Sequence, residues 1–213
     1  MRELGPGVTS EDVAELQSLL ERHARLKDDF VLSSGLHSKF YFDSKPVTLS
    51  PDGNALVGRI LERVVSAVGA EAVGGLQIGA IPIADAISRE SFETGSHIPA
   101  FVVRDEKKGH GTKEKIAASY SIRDRERGIR AGTRVAIVDD VVTTGDSIQG
   151  AIDAVKASGC VVVAVVALVT RPEANAAQVL GAKYDYISLF DCDIEGNLTL
   201  SARVQEIIGT AVA

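Results

Sequence analysis

The chain has 213 residues and a mass of 22.5 kDa, with 45% hydrophobic and 24% charged residues, so it can bury a sizeable core and reads as a single domain over residues 1–213. Twenty-nine acidic residues against 23 Lys and Arg leave a net charge of -6, which excludes a polyanion binder working by bulk charge. The two cysteines, Cys160 and Cys192, make neither a disulfide framework nor a zinc cluster, and the longest apolar run, Cys160 to Val169, is ten residues, too short to cross a bilayer; the expectation is a cytoplasmic protein with no membrane and no nucleic-acid partner.

From Glu11 to His23, Val13, Leu16, Leu19 and Leu20 share one helical face, which predicts a helix with Ser10 at its cap. Phe30 to Thr48 turns to aromatic and small polar residues, FVLSSGLHSKFYFDSKPVT, with Ser33-Ser34-Gly35 as a turn between two short extended pieces. Residues 1–48 therefore read as an N-terminal helix and hood, and residues 49–213 as the core. Ser50 and Pro51 open a second helix whose apolar stripe is Leu56, Ile60, Leu61, Val64, Val65 and Val68. Short apolar runs then follow at Ala72 to Leu76, Ala100 to Val103, Arg134 to Val138, Val161 to Val169 and Tyr184 to Leu189. They alternate with helical stretches at Ile81 to Ser91, Ser147 to Ser158, Glu173 to Leu180 and Ala202 to Ile208. That alternation predicts an α/β fold with a central, mostly parallel sheet flanked by helices. Between them, Arg104 to Lys115 reads RDEKKGHGTKEK, with two glycines and almost no apolar side chain, and is expected to be a mobile loop.

The chemistry concentrates in Arg134 to Ser147, RVAIVDDVVTTGDS. An apolar strand ends in Asp139 and Asp140; Val141 and Val142 follow, then Thr143, Thr144, Gly145, Asp146 and Ser147 at a helix start. Ligands of open parallel sheets bind beyond the carboxyl ends of the strands, and a helix N-terminus offers unpaired N–H groups to an anion. Small hydroxyl residues and a glycine let such a backbone wrap a phosphate closely. Like charge keeps the two aspartates from the phosphate, so they suit sugar hydroxyls or a magnesium ion; Asp146 is expected mainly to cap the helix.

This segment resembles the phosphoribosyl diphosphate (PRPP) signature of type I phosphoribosyltransferases. Three further segments resemble the orotate-specific members: FVLSSGLHSKFYFD, the loop from Arg104 to Gly111, and Val169-Thr170-Arg171-Pro172-Glu173. The resemblance implies the type I fold with a hood and a catalytic loop. It implies transfer of ribose 5-phosphate from PRPP to N1 of orotate, with Mg2+ carried by PRPP, reached through water by Asp139 and Asp140 and bound to no protein ligand directly. Arg104, Lys108, His110 and Asp140 are the implied catalytic residues. PRPP is implied to contact residues 139–147 together with Arg104, Lys107, Lys108 and His110. Orotate is assigned to Tyr41, Phe42, Thr143 and Arg171, whose guanidinium suits a planar carboxylate. A homodimer is implied, its 104–115 loop reaching the neighbouring site. The chain departs from the family pattern at Ser33, Gly79, Asp105 and Thr170. A different acceptor base remains an alternative, as does a non-catalytic PRPP-binding regulator; against the latter, Asp124 to Arg134 holds four Arg and two acids, too little for a basic nucleic-acid surface.

Overall fold

In the computed structural model, residues 7–31, 37–104, 115–118, 120–121, 126–127, 129–172 and 175–209 are described. The elements in chain order are α1 (Ser10–His23), β1 (Arg25–Val31), β2 (His37–Phe42), α2 (Lys45–Thr48), α3 (Pro51–Ala67), β3 (Ala72–Leu76) and α4 (Ala80–Thr94). Next come β4 (Ala100–Val103), β5 (Ile116–Ala118), β6 (Tyr120–Ser121), β7 (Glu126–Arg127), β8 (Arg134–Val142) and α5 (Asp146–Ala157). The chain closes with β9 (Val161–Thr170), α6 (Ala176–Gly181), β10 (Tyr186–Cys192), β11 (Leu198–Leu200) and α7 (Ala202–Gly209).

Helix α1 buries Val13, Leu16 and Leu20 as its spacing demands, but its cap is Thr9. The Thr9 hydroxyl accepts from the Asp12 N–H (3.1 Å) and the Asp12 carboxylate accepts from the Thr9 N–H (2.9 Å). This reciprocal pair satisfies two orphan donors where Ser10 would satisfy one, so Ser10 becomes the first helical residue. At α3, Ser50 does cap, accepting from the Gly53 N–H at 3.1 Å, with Pro51 in the first turn.

The sheet has seven strands in the order β11-β10-β9-β8-β3-β4-β5. The inner pairs are parallel, while β5 on β4 and β11 on β10 are antiparallel. The three-residue edge strands were not visible in the sequence, because so short a run carries no period. Both faces are covered. On one side Leu16, Ile60, Leu61, Ile83 and Ile87 pack against Val138, Leu168 and Phe190; on the other, Ile148, Ile152 and Leu180 pack against Ile137 and Val165. The hood strands β1 and β2 form a separate antiparallel pair, offset by a register shift between Lys27 and Phe30. Arg25 ties its base to the β10–β11 turn, donating to the Gly196 carbonyl at 3.1 Å.

Strand β8 runs four residues beyond its expected end and pairs with β9 up to Val142 and Thr170. Its ladder does not stop at the charges, because Val141 and Val142 continue the apolar pattern that a buried parallel strand requires. The pairing of β8 with β3 and β9 leaves the carboxyl ends of three adjacent strands side by side.

Candidate active site

The two acids sit inside β8. Successive strand residues face opposite sides, and Asp139 and Asp140 part accordingly. Asp139 is 8% exposed, and its carboxylate accepts from the Asp140 N–H at 3.0 Å. Burial, and next the Asp140 charge, push its carboxyl up to about 7. Asp140 is half-buried and leans the other way, toward the β3–α4 loop and the hood.

That loop turns at Gly79. A β-carbon at this position would lie 2.2 Å from one Asp140 carboxylate oxygen, so the bare glycine is the space the carboxylate occupies. The other oxygen accepts from the Ser44 hydroxyl at 2.6 Å. Lys45 follows, its ammonium 2.7 Å from the Asp43 carboxylate. The hydrogen bond to Asp43 raises the Lys45 pKa, and the charge of Asp140 adds to it. Burial opposes the Asp43 charge, but its bonds from Lys45 outweigh that and leave the Asp43 carboxyl lowered. Asn54 holds the segment in place, donating to the carbonyls of Thr48 (3.1 Å) and Pro82 (3.2 Å).

Beyond β8, Thr143 is half-buried and Thr144, Asp146 and Ser147 are exposed at the start of α5. Gly145 occupies the cap position with φ 83° and no side-chain cap bond. The assignment of Asp146 to capping is corrected: it is the first helical residue, and its carboxylate accepts from the Thr144 hydroxyl at 2.8 Å. The positive φ is open to glycine at little cost, and the cap residue puts no side chain over the first turn, where the Asp146 N–H donates to the Thr144 hydroxyl at 3.5 Å. An anion meets main-chain donors there.

Arg171 follows β9 and is 2% exposed. Its main-chain N–H donates to the Val142 carbonyl at 2.9 Å, and its guanidinium lies 4.4 Å over the Phe40 ring and donates to the Phe40 carbonyl at 3.4 Å. Phe40 is thus the hood aromatic that meets the arginine. Phe42 is 2% exposed and its side chain belongs to the core, whereas Tyr41 alternates outward and is 41% exposed. Thr170 is buried and its hydroxyl shares a 2.6 Å hydrogen bond with Tyr186; burial pushes the Tyr186 phenol up to about 12. Arg104 is exposed at the end of β4, and its N–H donates to the Lys115 carbonyl at 2.8 Å. Ser33, Asp105, Lys107, Lys108, His110 and Glu173 lie outside the described residues.

The structure brings Ser44, Gly79 and Asp140 together, and Phe40 with Arg171. Sequence reasoning did not single out Ser44, Lys45 or Tyr186. Ser44 and Asp140 are 96 positions apart, and nothing local to Asp-Ser-Lys-Pro marks that contact. Among the described residues no group of three or more His, Cys, Asp or Glu could hold a metal ion. The two carboxylates alone suit a hard cation that keeps most of its own oxygen ligands.

The pKa of Asp139 makes a prediction. A carboxyl raised in the folded state costs the fold nothing below its unfolded value of 3.8, progressively more up to about 7, and a constant amount above. Asp139→Asn is expected to stabilise the ligand-free protein by on the order of 2 kcal/mol at pH 8 and hardly at all near pH 4. Urea unfolding across that range checks it; a gain independent of pH would exclude the buried charge as its source.

Residues 52–195 match the family described as phosphoribosyl transferase domain. An orotate phosphoribosyltransferase of Nostoc sp. is 39% identical over 175 residues, covering 81% of each chain. That of Aquifex aeolicus is 38% identical over 172 residues, 80% of this chain and 89% of its own. The crystal structure of Mycobacterium tuberculosis orotate phosphoribosyltransferase in complex with PRPP superposes with a TM-score of 0.65 at 34% identity, covering 83% of this chain and 94% of that one.

Proposed function

Since the chain belongs to the orotate phosphoribosyltransferases within the phosphoribosyl transferase domain family, we infer that it transfers ribose 5-phosphate from PRPP to N1 of orotate. The products are orotidine 5'-phosphate and diphosphate, a step of pyrimidine nucleotide synthesis. The observation that carries the acceptor is Arg171, a buried guanidinium joined by its own main chain to the strand that leads into the phosphate loop. It is matched to the orotate carboxylate, which uracil and the purine bases lack.

In the reaction the C1–O bond to diphosphate breaks, its electron pair leaves with the diphosphate, and the ribose takes on oxocarbenium character until N1 of orotate closes the new bond. The main chain of residues 143–147 and the hydroxyls of Thr143, Thr144 and Ser147 anchor the 5-phosphate. Asp140, from the hood side, and Asp139, from below, accept hydrogen bonds from the ribose hydroxyls. Arg104, Lys107, Lys108 and His110 neutralise the departing diphosphate, and His110 can give it a proton. Tyr41 and the Phe42 main chain flank the base. Mg2+ bound with PRPP supplies further charge neutralisation to the diphosphate. Catalysis is then positioning plus electrostatics, with no covalent enzyme intermediate.

The same reading includes a homodimer in which residues 104–115 serve the neighbouring site. It is supported by the apolar side chains of Ile81 and Phe92, exposed on one side of α4, and of Ile78 just before it. Cys160 and Cys192 are both buried, which suits the reducing cytoplasm.

A base-panel assay tests the acceptor: with PRPP and Mg2+, diphosphate release is expected with orotate and not with uracil, adenine or hypoxanthine. Turnover of any of those three at a rate comparable to orotate would overturn the assignment.

A further inference from the structure

Ser44 stands at the cap position of α2, where a serine hydroxyl ordinarily accepts from the N–H groups of its own helix. Here it makes no such bond. The residue is 0% exposed, and its hydroxyl donates across the molecule to Asp140 at 2.6 Å. The Asp140 carboxylate thus has one oxygen bonded to Ser44 and the other packed closely against Gly79. A carboxylate pinned in this way loses little rotamer freedom when a ligand arrives.

The support beneath Ser44 is itself rigid. Gly53 of α3 approaches the Val47 carbonyl so closely that a β-carbon there would lie 2.3 Å from it, and Asn54 bonds the Thr48 carbonyl. One turn beyond Ser44, the Thr48 hydroxyl is fully buried and has no hydrogen-bond partner among the described residues. Ser44 thus forgoes a cap bond to its own helix and bonds Asp140, 96 positions away, instead.

We propose that Ser44 is a positioning residue of the transferase: through its hydroxyl it sets the Asp140 carboxylate for the ribose hydroxyls, linking the seating of the hood to the ribose subsite. The proposal rests on the transferase reading above and adds a residue to it. Charge-assisted hydrogen bonds of this kind carry enough energy that losing one is a tenfold effect or more.

The test is calorimetric binding of three probes, PRPP with Mg2+, ribose 5-phosphate and inorganic phosphate, to the wild type, Ser44→Ala, Asp140→Asn and the double variant. Ser44→Ala is expected to weaken ribose 5-phosphate and PRPP about tenfold and to leave inorganic phosphate, held by the β8–α5 loop, unchanged. In the Asp140→Asn background the same substitution is expected to add no further loss. A merely structural role would lower all three affinities together or lower the unfolding midpoint in parallel, and either result overturns the proposal. Equal ribose 5-phosphate binding by wild type and Ser44→Ala overturns it too. A wild type that binds phosphate but neither ribose ligand would sink the transferase reading itself, and the inference with it.

Discussion

Lys108→Ala is expected to lower kcat by about two to three orders of magnitude, the usual loss when one preorganised donor to a developing charge is removed. The effect is electrostatic. In the proposed reaction the ground-state diphosphate would already be partly neutralised by the magnesium carried with PRPP. The charge that leaves with it is new, and it grows just as the sugar becomes cationic. A lysine donor to the departing diphosphate, as proposed for Lys108, would stabilise the transition state more than the bound substrate, so turnover falls while PRPP affinity changes only moderately. Residues 105–114 leave and rejoin the described chain at Arg104 and Lys115, whose main chains are bonded at 2.8 Å. Steady-state kinetics alongside PRPP binding by calorimetry checks the expectation; parallel losses in both would place Lys108 in ground-state binding instead.

Arg171→Ala is expected to raise the KM for orotate by about a hundredfold or more, since truncating one partner of a buried charge pair costs about 2–5 kcal/mol. The KM for PRPP should move far less, because the phosphate loop and Asp140 are untouched. Arg171→Lys is expected to recover only part of the loss: an ammonium cannot make the two parallel bonds of a guanidinium and covers the Phe40 ring less well. A panel of orotate and uracil as acceptors separates recognition from damage. If the alanine variant loses PRPP affinity to the same degree, Arg171 supports the fold of the site rather than selecting its acceptor.

What the sequence made legible was whatever repeats with a period or sits within one short window. The apolar stripes of α1 and α3, the inner strands and the strand-loop-helix order from Arg134 to Ser158 read correctly in kind, because burial imposes those patterns locally. Edge strands such as β5 and β11 did not, since three residues carry no period. The cap of α1 went to Thr9 because its reciprocal bond with Asp12 beats a lone Ser10. Asp146 lost its expected role because Gly145 had already taken the cap position in a left-handed conformation. Within the site, Arg171 could be named but not its stacking on Phe40, and Ser44 could not be named at all. Those contacts depend on how the hood folds back on the sheet, which no window of neighbouring residues records.

One main-chain bond has a longer reach than its size suggests. Arg171 N–H on Val142 C=O continues the β8–β9 ladder past its last paired residues, so the loop proposed to anchor the sugar's phosphate and the side chain proposed for the acceptor's carboxylate hang from one pair of strands. In the proposed reaction the gap across which C1 meets N1 would therefore be ruled by peptide geometry. Side chains around the pocket can be exchanged to suit another acceptor without altering that span, but a residue inserted or deleted at the end of either strand would change the measure for every acceptor alike.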